Sequence, residues 1–133
     1  MRRSTWSALV LLAAVSLPAA GATAYVTWSS DRSDAKKSAA ALDLETGDVL
    51  WERAFKDDVH FVEALADGIL VGCENGTLYF LDSEQGATLW KVDLKRPVNI
   101  YVGSGDDGIL VSNDKKSYWL VGHDGRLKHS WKH

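Results

Sequence analysis

The chain has a single cysteine, Cys73, among its 133 residues, so it has no intrachain disulfide available. Cys73 ends the apolar run Ile69-Leu70-Val71-Gly72-Cys73, where a thiol behaves as a small buried hydrophobe. The neighbouring Glu74 opposes thiolate formation, so the sequence does not point to a reactive cysteine. Basic charge is also scarce, with 15 Lys and Arg against 18 Asp and Glu and a formal net charge of -3. Loss of Arg2 and Arg3 with a cleaved leader would bring that to about -5. Such a balance excludes the basic face that neutralises phosphates in a nucleic-acid binder. The acidic residues are scattered, as on a solvated surface.

Catalytic signatures are missing as well. No Gly-x-Ser-x-Gly elbow offers a hydrolase nucleophile. Neither HExxH nor paired cysteines suggest a metal centre. His123, His129 and His133 lie six and four residues apart, without the converging second-shell support a metal site needs, and read as a solvated tail. His60, beside Phe61 in an apolar segment, reads as structural. The run Gly103-Ser104-Gly105-Asp106-Asp107-Gly108 follows a strand but opens a hairpin rather than a helix, so it is no nucleotide cradle. No catalytic, cofactor-binding or metal-binding residue is expected, and no cofactor.

What the sequence does contain begins with an export signal. Met1-Arg2-Arg3-Ser4 is basic, and Ala8 to Ala20 is uncharged, with Pro18 near its end. Ala20-Gly21-Ala22 and Ala22-Thr23-Ala24 both fit a small-x-small cleavage site. Residues 1–23 are therefore expected to form a hydrophobic helix that is a signal peptide or an uncleaved membrane anchor, since the uncharged stretch from Ser4 to Ser30 is long enough to span a bilayer. Either form places the remaining chain outside the cytoplasm, periplasmic, extracellular or membrane-anchored in the cell envelope. Ala22 to Trp28 also reads as a strand, compatible with both.

Six tryptophans in so short a chain point to a repeated structural duty. Ala41-Leu42-Asp43-Leu44-Glu45-Thr46-Gly47-Asp48-Val49-Leu50-Trp51 aligns with Phe80-Leu81-Asp82-Ser83-Glu84-Gln85-Gly86-Ala87-Thr88-Leu89-Trp90 at a shift of 39, and Leu, Asp, Glu, Gly, Leu and Trp coincide. A weaker copy holds Leu120, Gly125 and Trp131, with Gly122 in place of the Asp. Asp67-Gly68-Ile69-Leu70-Val71-Gly72 repeats as Asp107-Gly108-Ile109-Leu110-Val111-Ser112 at a shift of 40. Two motifs with nearly one period, each unit holding several short strands, are the mark of propeller blades. In the middle unit the strands are expected at 59–65, 69–73, 77–82 and 87–92, with Asn75-Gly76 as the strongest hairpin signal. The third unit has them at 98–102, 109–112, 117–121 and 126–131. The first unit shows 25–29, 39–43 and 48–55, lacks a first strand, and has a polar loop over 30–38. The units run roughly 24–55, 56–94 and 95–133.

Ala41, Asp43, Thr46, Gly47 and Trp51 together resemble the tryptophan-docking motif of the quinoprotein, or PQQ-like, propeller repeat, and Asp82, Gly86 and Trp90 repeat it. The resemblance implies an all-β fold, an incomplete propeller of about three four-stranded antiparallel blades. It also implies that the Trp of one blade stacks near the Gly turn of the next. Asp43, Gly47, Trp51, Asp82, Gly86, Trp90, Gly125 and Trp131 are then the structural docking set. Trp brings area and an N–H, Gly brings space and a permissive φ, and Asp ties its turn.

Family dehydrogenases hold a quinone and calcium at the centre of about eight blades, with adjacent cysteines beside them. One cysteine and few blades argue against that use, leaving a fragment of such an enzyme, or a remnant of a longer propeller, as the alternative. Non-catalytic relatives include periplasmic scaffolds of the β-barrel assembly machinery, although no cysteine follows the leader for a lipid anchor. The expected role is a non-enzymatic protein-binding scaffold. Its expected partners are another protein or a second copy, engaged through apolar outer faces left open on the first and last blades.

Overall fold

The computed structural model describes residues 10–16, 22–28, 37–114 and 116–132. They form strands β1 (Val10–Ser16), β2 (Thr23–Trp28), β3 (Ser38–Asp43), β4 (Val49–Ala54), β5 (Val59–Leu65), β6 (Gly68–Cys73), β7 (Thr77–Leu81), β8 (Thr88–Asp93), β9 (Ile100–Gly105), β10 (Gly108–Ser112), β11 (Ser117–Val121) and β12 (Leu127–Lys132). Every ladder is antiparallel, and the strands group as β1 to β4, β5 to β8 and β9 to β12. These are three propeller blades. β5 lies beside both β1 and β9, so the first strands gather on one side and β4, β8 and β12 form the outer rim.

Alternation of side chains builds the core. In β6, Ile69, Val71 and Cys73 face the first blade and join Tyr25, Ala39, Ala41, Trp51 and Phe55. Leu70 points the other way and joins Leu78, Phe80, Ile109, Val111, Trp119 and Val121 between the second and third blades. The middle blade is thus covered on both faces, and every residue of β6 is buried. This explains why its sequence is a continuous apolar run rather than a polar–apolar alternation.

Two expectations are corrected here. The apolar stretch expected as a leader helix contains β1, so the first blade has four strands rather than three. The physical reason lies in β2, where Ala24 to Trp28 are all buried. Its edge facing away from β3 needs hydrogen-bonding partners. β1 supplies them in register, from Val10 opposite Trp28 to Ser16 opposite Thr23. A short run of Val, Leu and Ala is ambiguous between helix and strand by periodicity alone.

The second correction concerns the first blade's outward face, expected to be open. Ala24, Val26, Trp28 and Ala40 there are buried in a cluster of their own. Of the polar segment 30–38, Lys37 is exposed and Ser38 is buried as the first residue of β3, and the remainder lies outside the described residues.

Candidate docking joints and the outer rim

Each joint starts from a turn between the third and fourth strands of a blade. In the first blade, Asp43 Oδ1 accepts hydrogen bonds from the N–H groups of Glu45 (2.8 Å) and Thr46 (3.4 Å). The Gly47 N–H donates to the Asp43 carbonyl at 2.7 Å, with Gly47 at φ +80°. The second blade builds the same turn. Asp82 Oδ1 accepts from Glu84 N–H at 3.3 Å, and Gly86, at φ +75°, donates to the Asp82 carbonyl at 2.8 Å. In the third blade Gly122 stands in the Asp position, and Gly125 adopts φ +88°.

The fourth strand of one blade then reaches the turn of the next. The Trp51 ring covers Gly86 so closely that a Cβ there would sit 2.6 Å from Trp51 Cε3. Trp51 Nε1–H donates to the Ser83 carbonyl at 2.8 Å, and Arg53 Nη1 donates to the Gly86 carbonyl at 2.9 Å. Tyr25 tilts against Trp51, ring centroids 6.1 Å apart, and burial pushes its phenol above the ordinary value. Trp90 repeats the arrangement on the third blade. A Cβ on Gly125 would lie 2.7 Å from Trp90 Cδ2, the indole N–H donates to the His123 carbonyl at 3.0 Å, and the ring stacks on Phe80 at 5.2 Å.

The third fourth-strand differs. Trp51 pairs across its sheet with Ala41, and Trp90 with Phe80. The residue paired with Leu120, four after Gly125 as Trp90 is four after Gly86, is His129. Trp131 pairs with Tyr118, two positions along, where the first blade has Arg53. Its ring stacks with that of His129 at 5.7 Å and stays 45% exposed. His129 and Arg53 carry the parts that sequence comparison missed. The Gly-to-His spacing of four residues was the available signal, hidden because the alignment was anchored on tryptophan. At the other end, the Gly47 turn is exposed, and among the described residues no heavy atom lies within 4 Å of where its Cβ would be.

The histidines do not converge. His123 Nε2 is 2.7 Å from the Gly105 carbonyl, His60 contacts Glu74 near the opposite end, and His133 lies outside the described residues. No group of three or more His, Cys, Asp or Glu side chains that could hold a metal ion occurs among the described residues. Cys73 is 1% exposed. Burial first, then the charges of Asp57 and Asp58, push its thiol up to about 12. The native protein is therefore expected to resist a thiol-specific disulfide reagent at pH 8 and to react fully once unfolded. Rapid labelling of the folded chain would contradict this placement.

The outer rim carries apolar side chains in water. Leu50 and Leu89 occupy equivalent places, one residue before each docking Trp, at 53% and 55% exposure, and Val49 and Leu127 are likewise exposed. Beside β12, a cleft of about 350 Å³ is lined by Lys95, Arg96, Trp119, Trp131 and Lys132 among others.

A family model described as outer membrane protein assembly factor BamB matches residues 35–133. This chain belongs to the BamB-type family of PQQ-like propeller repeats. The outer membrane protein assembly factor BamB of Alteromonas naphthalenivorans is 34% identical over 120 residues, an alignment covering 75% of this chain and 28% of that protein. The crystal structure of BamB from Moraxella catarrhalis is similar with a TM-score of 0.68 at 20% identity, over 89% of this chain and 35% of that one. That second likeness concerns the fold. The chain spans little more than a quarter of the curated relative's length. Both filled joints of this BamB-type chain, Trp51 on Gly86 and Trp90 on Gly125, lie inside the matched segment, whereas β1 and β2 precede it.

Proposed function

We propose that this chain is a non-catalytic protein-binding scaffold of the cell envelope that takes part in the assembly of outer-membrane proteins. Membership in the BamB-type family carries the reading. The outer rim supplies a physical means. β4, β8 and β12 each end their sheets, leaving a strand edge unpaired within the sheet, and Leu50, Leu89 and Leu127 stand exposed along it. An extended segment of a partner adds to such an edge through main-chain hydrogen bonds, with alternate side chains resting on the exposed leucines. The docking joints hold the blades so that these edges stay fixed in relation to one another, which is the scaffold's contribution.

Residues 1–23 are proposed to direct export, with the repeats of 24–133 outside the cytoplasm. Cleavage near Ala22 or Ala24 would remove β1 and leave β2 as an edge. The intact mass of the exported chain distinguishes a three-stranded first blade from a four-stranded one.

The binding test uses the isotope-labelled chain titrated with a synthetic peptide of alternating polar and apolar residues, copied from one strand of an outer-membrane β-barrel. Amide shifts confined to β4, β8 or β12 are expected. Leu89→Asp should weaken binding about tenfold, the loss of roughly one leucine contact. Absence of any shift up to peptide solubility, or shifts confined to the buried β6, would overturn the reading.

A further inference from the structure

The chain carries both halves of a joint that it closes twice internally. The Gly47 turn has the hydrogen bonds and positive φ of the Gly86 turn, yet among the described residues no ring lies on it. The face of β12 that corresponds to Trp51 and Trp90 carries His129 stacked on Trp131, both exposed. We propose that this His129–Trp131 face docks on the Gly47 turn of a second copy, head to tail. The inference rests on the protein-binding reading and names one partner for it.

Three observations favour a second copy. First, the joint continues an interface the fold already uses. The turn is offered with its Leu44 carbonyl in the place of the Ser83 carbonyl that accepts from Trp51. An imidazole N–H at His129 has the same donor chemistry as the indole it replaces.

Second, the charges complement each other. Asp43, Glu45 and Asp48 surround the turn, with Glu45 and Asp48 exposed. Arg126, Lys128 and Lys132 are exposed in and beside β12.

Third, the turn itself is open, with residues 44–50 all exposed, so an incoming ring reaches Gly47 without displacing the buried cluster of Ala24, Val26, Trp28 and Ala40. Because donor and acceptor are different surfaces, the interface is heterologous.

The test is sedimentation equilibrium of the 133-residue chain over a wide concentration range, with no partner present. A species heavier than the 14.6 kDa protomer is expected. Its dissociation constant should rise at least about tenfold between about 0.05 M and 0.5 M NaCl. Trp131→Ala should abolish association by removing the donor face. Gly47→Asn should do the same by placing a Cβ under the incoming ring, while asparagine tolerates the positive φ that the turn needs.

Neither variant can pair with itself, but Trp131→Ala keeps an intact Gly47 turn and Gly47→Asn keeps an intact Trp131. An equimolar mixture should therefore recover a complex with a single joint. Circular dichroism on each variant confirms that it is folded. A chain that is monomeric at every concentration, association that survives both variants, or a mixture of folded variants without recovery would each overturn the proposal. Peptide binding measured on Gly47→Asn stands apart. Peptide binding that persists on Gly47→Asn keeps the rim reading separate from the joint, and peptide binding by an unsubstituted chain that is monomeric at every concentration would remove the second-copy assignment alone.

Discussion

Replacing Trp51 with alanine is expected to lower the free energy of unfolding by about 3–5 kcal/mol, the range for loss of a buried tryptophan. Against a total stability of about 5–15 kcal/mol for a domain, that is enough to unfold a weak one. Two contributions are lost together. The ring fills the space over Gly86 and packs with Tyr25, and the indole N–H satisfies the Ser83 carbonyl. The hydrogen bond accounts for about 1 kcal/mol, so apolar burial should dominate. Trp51→Phe separates the two by keeping a ring and removing the donor. Its expected cost is clearly the smaller, at about 1–2 kcal/mol. Urea unfolding at low protein concentration measures both. Equal costs for the two variants would mean that the hydrogen bond, not the ring, holds the blades.

Gly125→Val should be the other severe substitution. Valine at φ +88° carries backbone strain of about 1–3 kcal/mol, and its Cβ would enter the Trp90 ring at 2.7 Å. Gly47→Val is the internal control. Gly47 has nearly the same backbone, φ +80°, with no heavy atom of the described residues within 4 Å of where its Cβ would be. The strain is common to both positions, so the difference between them isolates the seating of Trp90. Gly125→Val is expected to be worse by about 2 kcal/mol or more in dilute solution, the scale of forcing extra volume into a packed contact. Equal losses at the two glycines would show that the turn's conformation, and not the docked ring, is what glycine serves.

The repeat was legible because its parts must recur together. A tryptophan needs a glycine one blade away, a glycine at positive φ needs a turn, and the Asp ties that turn, so the spacing between them survives weak identity. The strands of the middle blade follow their sequence pattern closely, since β5 to β8 alternate or run apolar according to which faces are covered.

Other features were hidden for physical reasons. β1 is an apolar run that fits a leader as well as it fits a strand. Its pairing with β2, a long-range fact, is what makes it a strand rather than a helix here. His129 was hidden because its side chain differs in kind from tryptophan while its backbone position, opposite Leu120, is the same. Arg53 gave no signal, because its reach to the Gly86 carbonyl depends on blade-to-blade distance rather than on any local pattern. The openness of the first blade's face was overestimated for a related reason, since counting blades does not say what covers the end of a stack.

The account turns on indole rings lying against glycine turns of the following blade. Nuclear Overhauser contacts from the Trp51 ring to the Gly86 Hα, and from the Trp90 ring to the Gly125 Hα, read that directly. Both contacts are predicted, with the two Hα resonances moved upfield by the rings and released by Trp51→Ala and Trp90→Ala respectively. Glycine resonances at ordinary positions, with no contact to either indole in the folded chain, would contradict it.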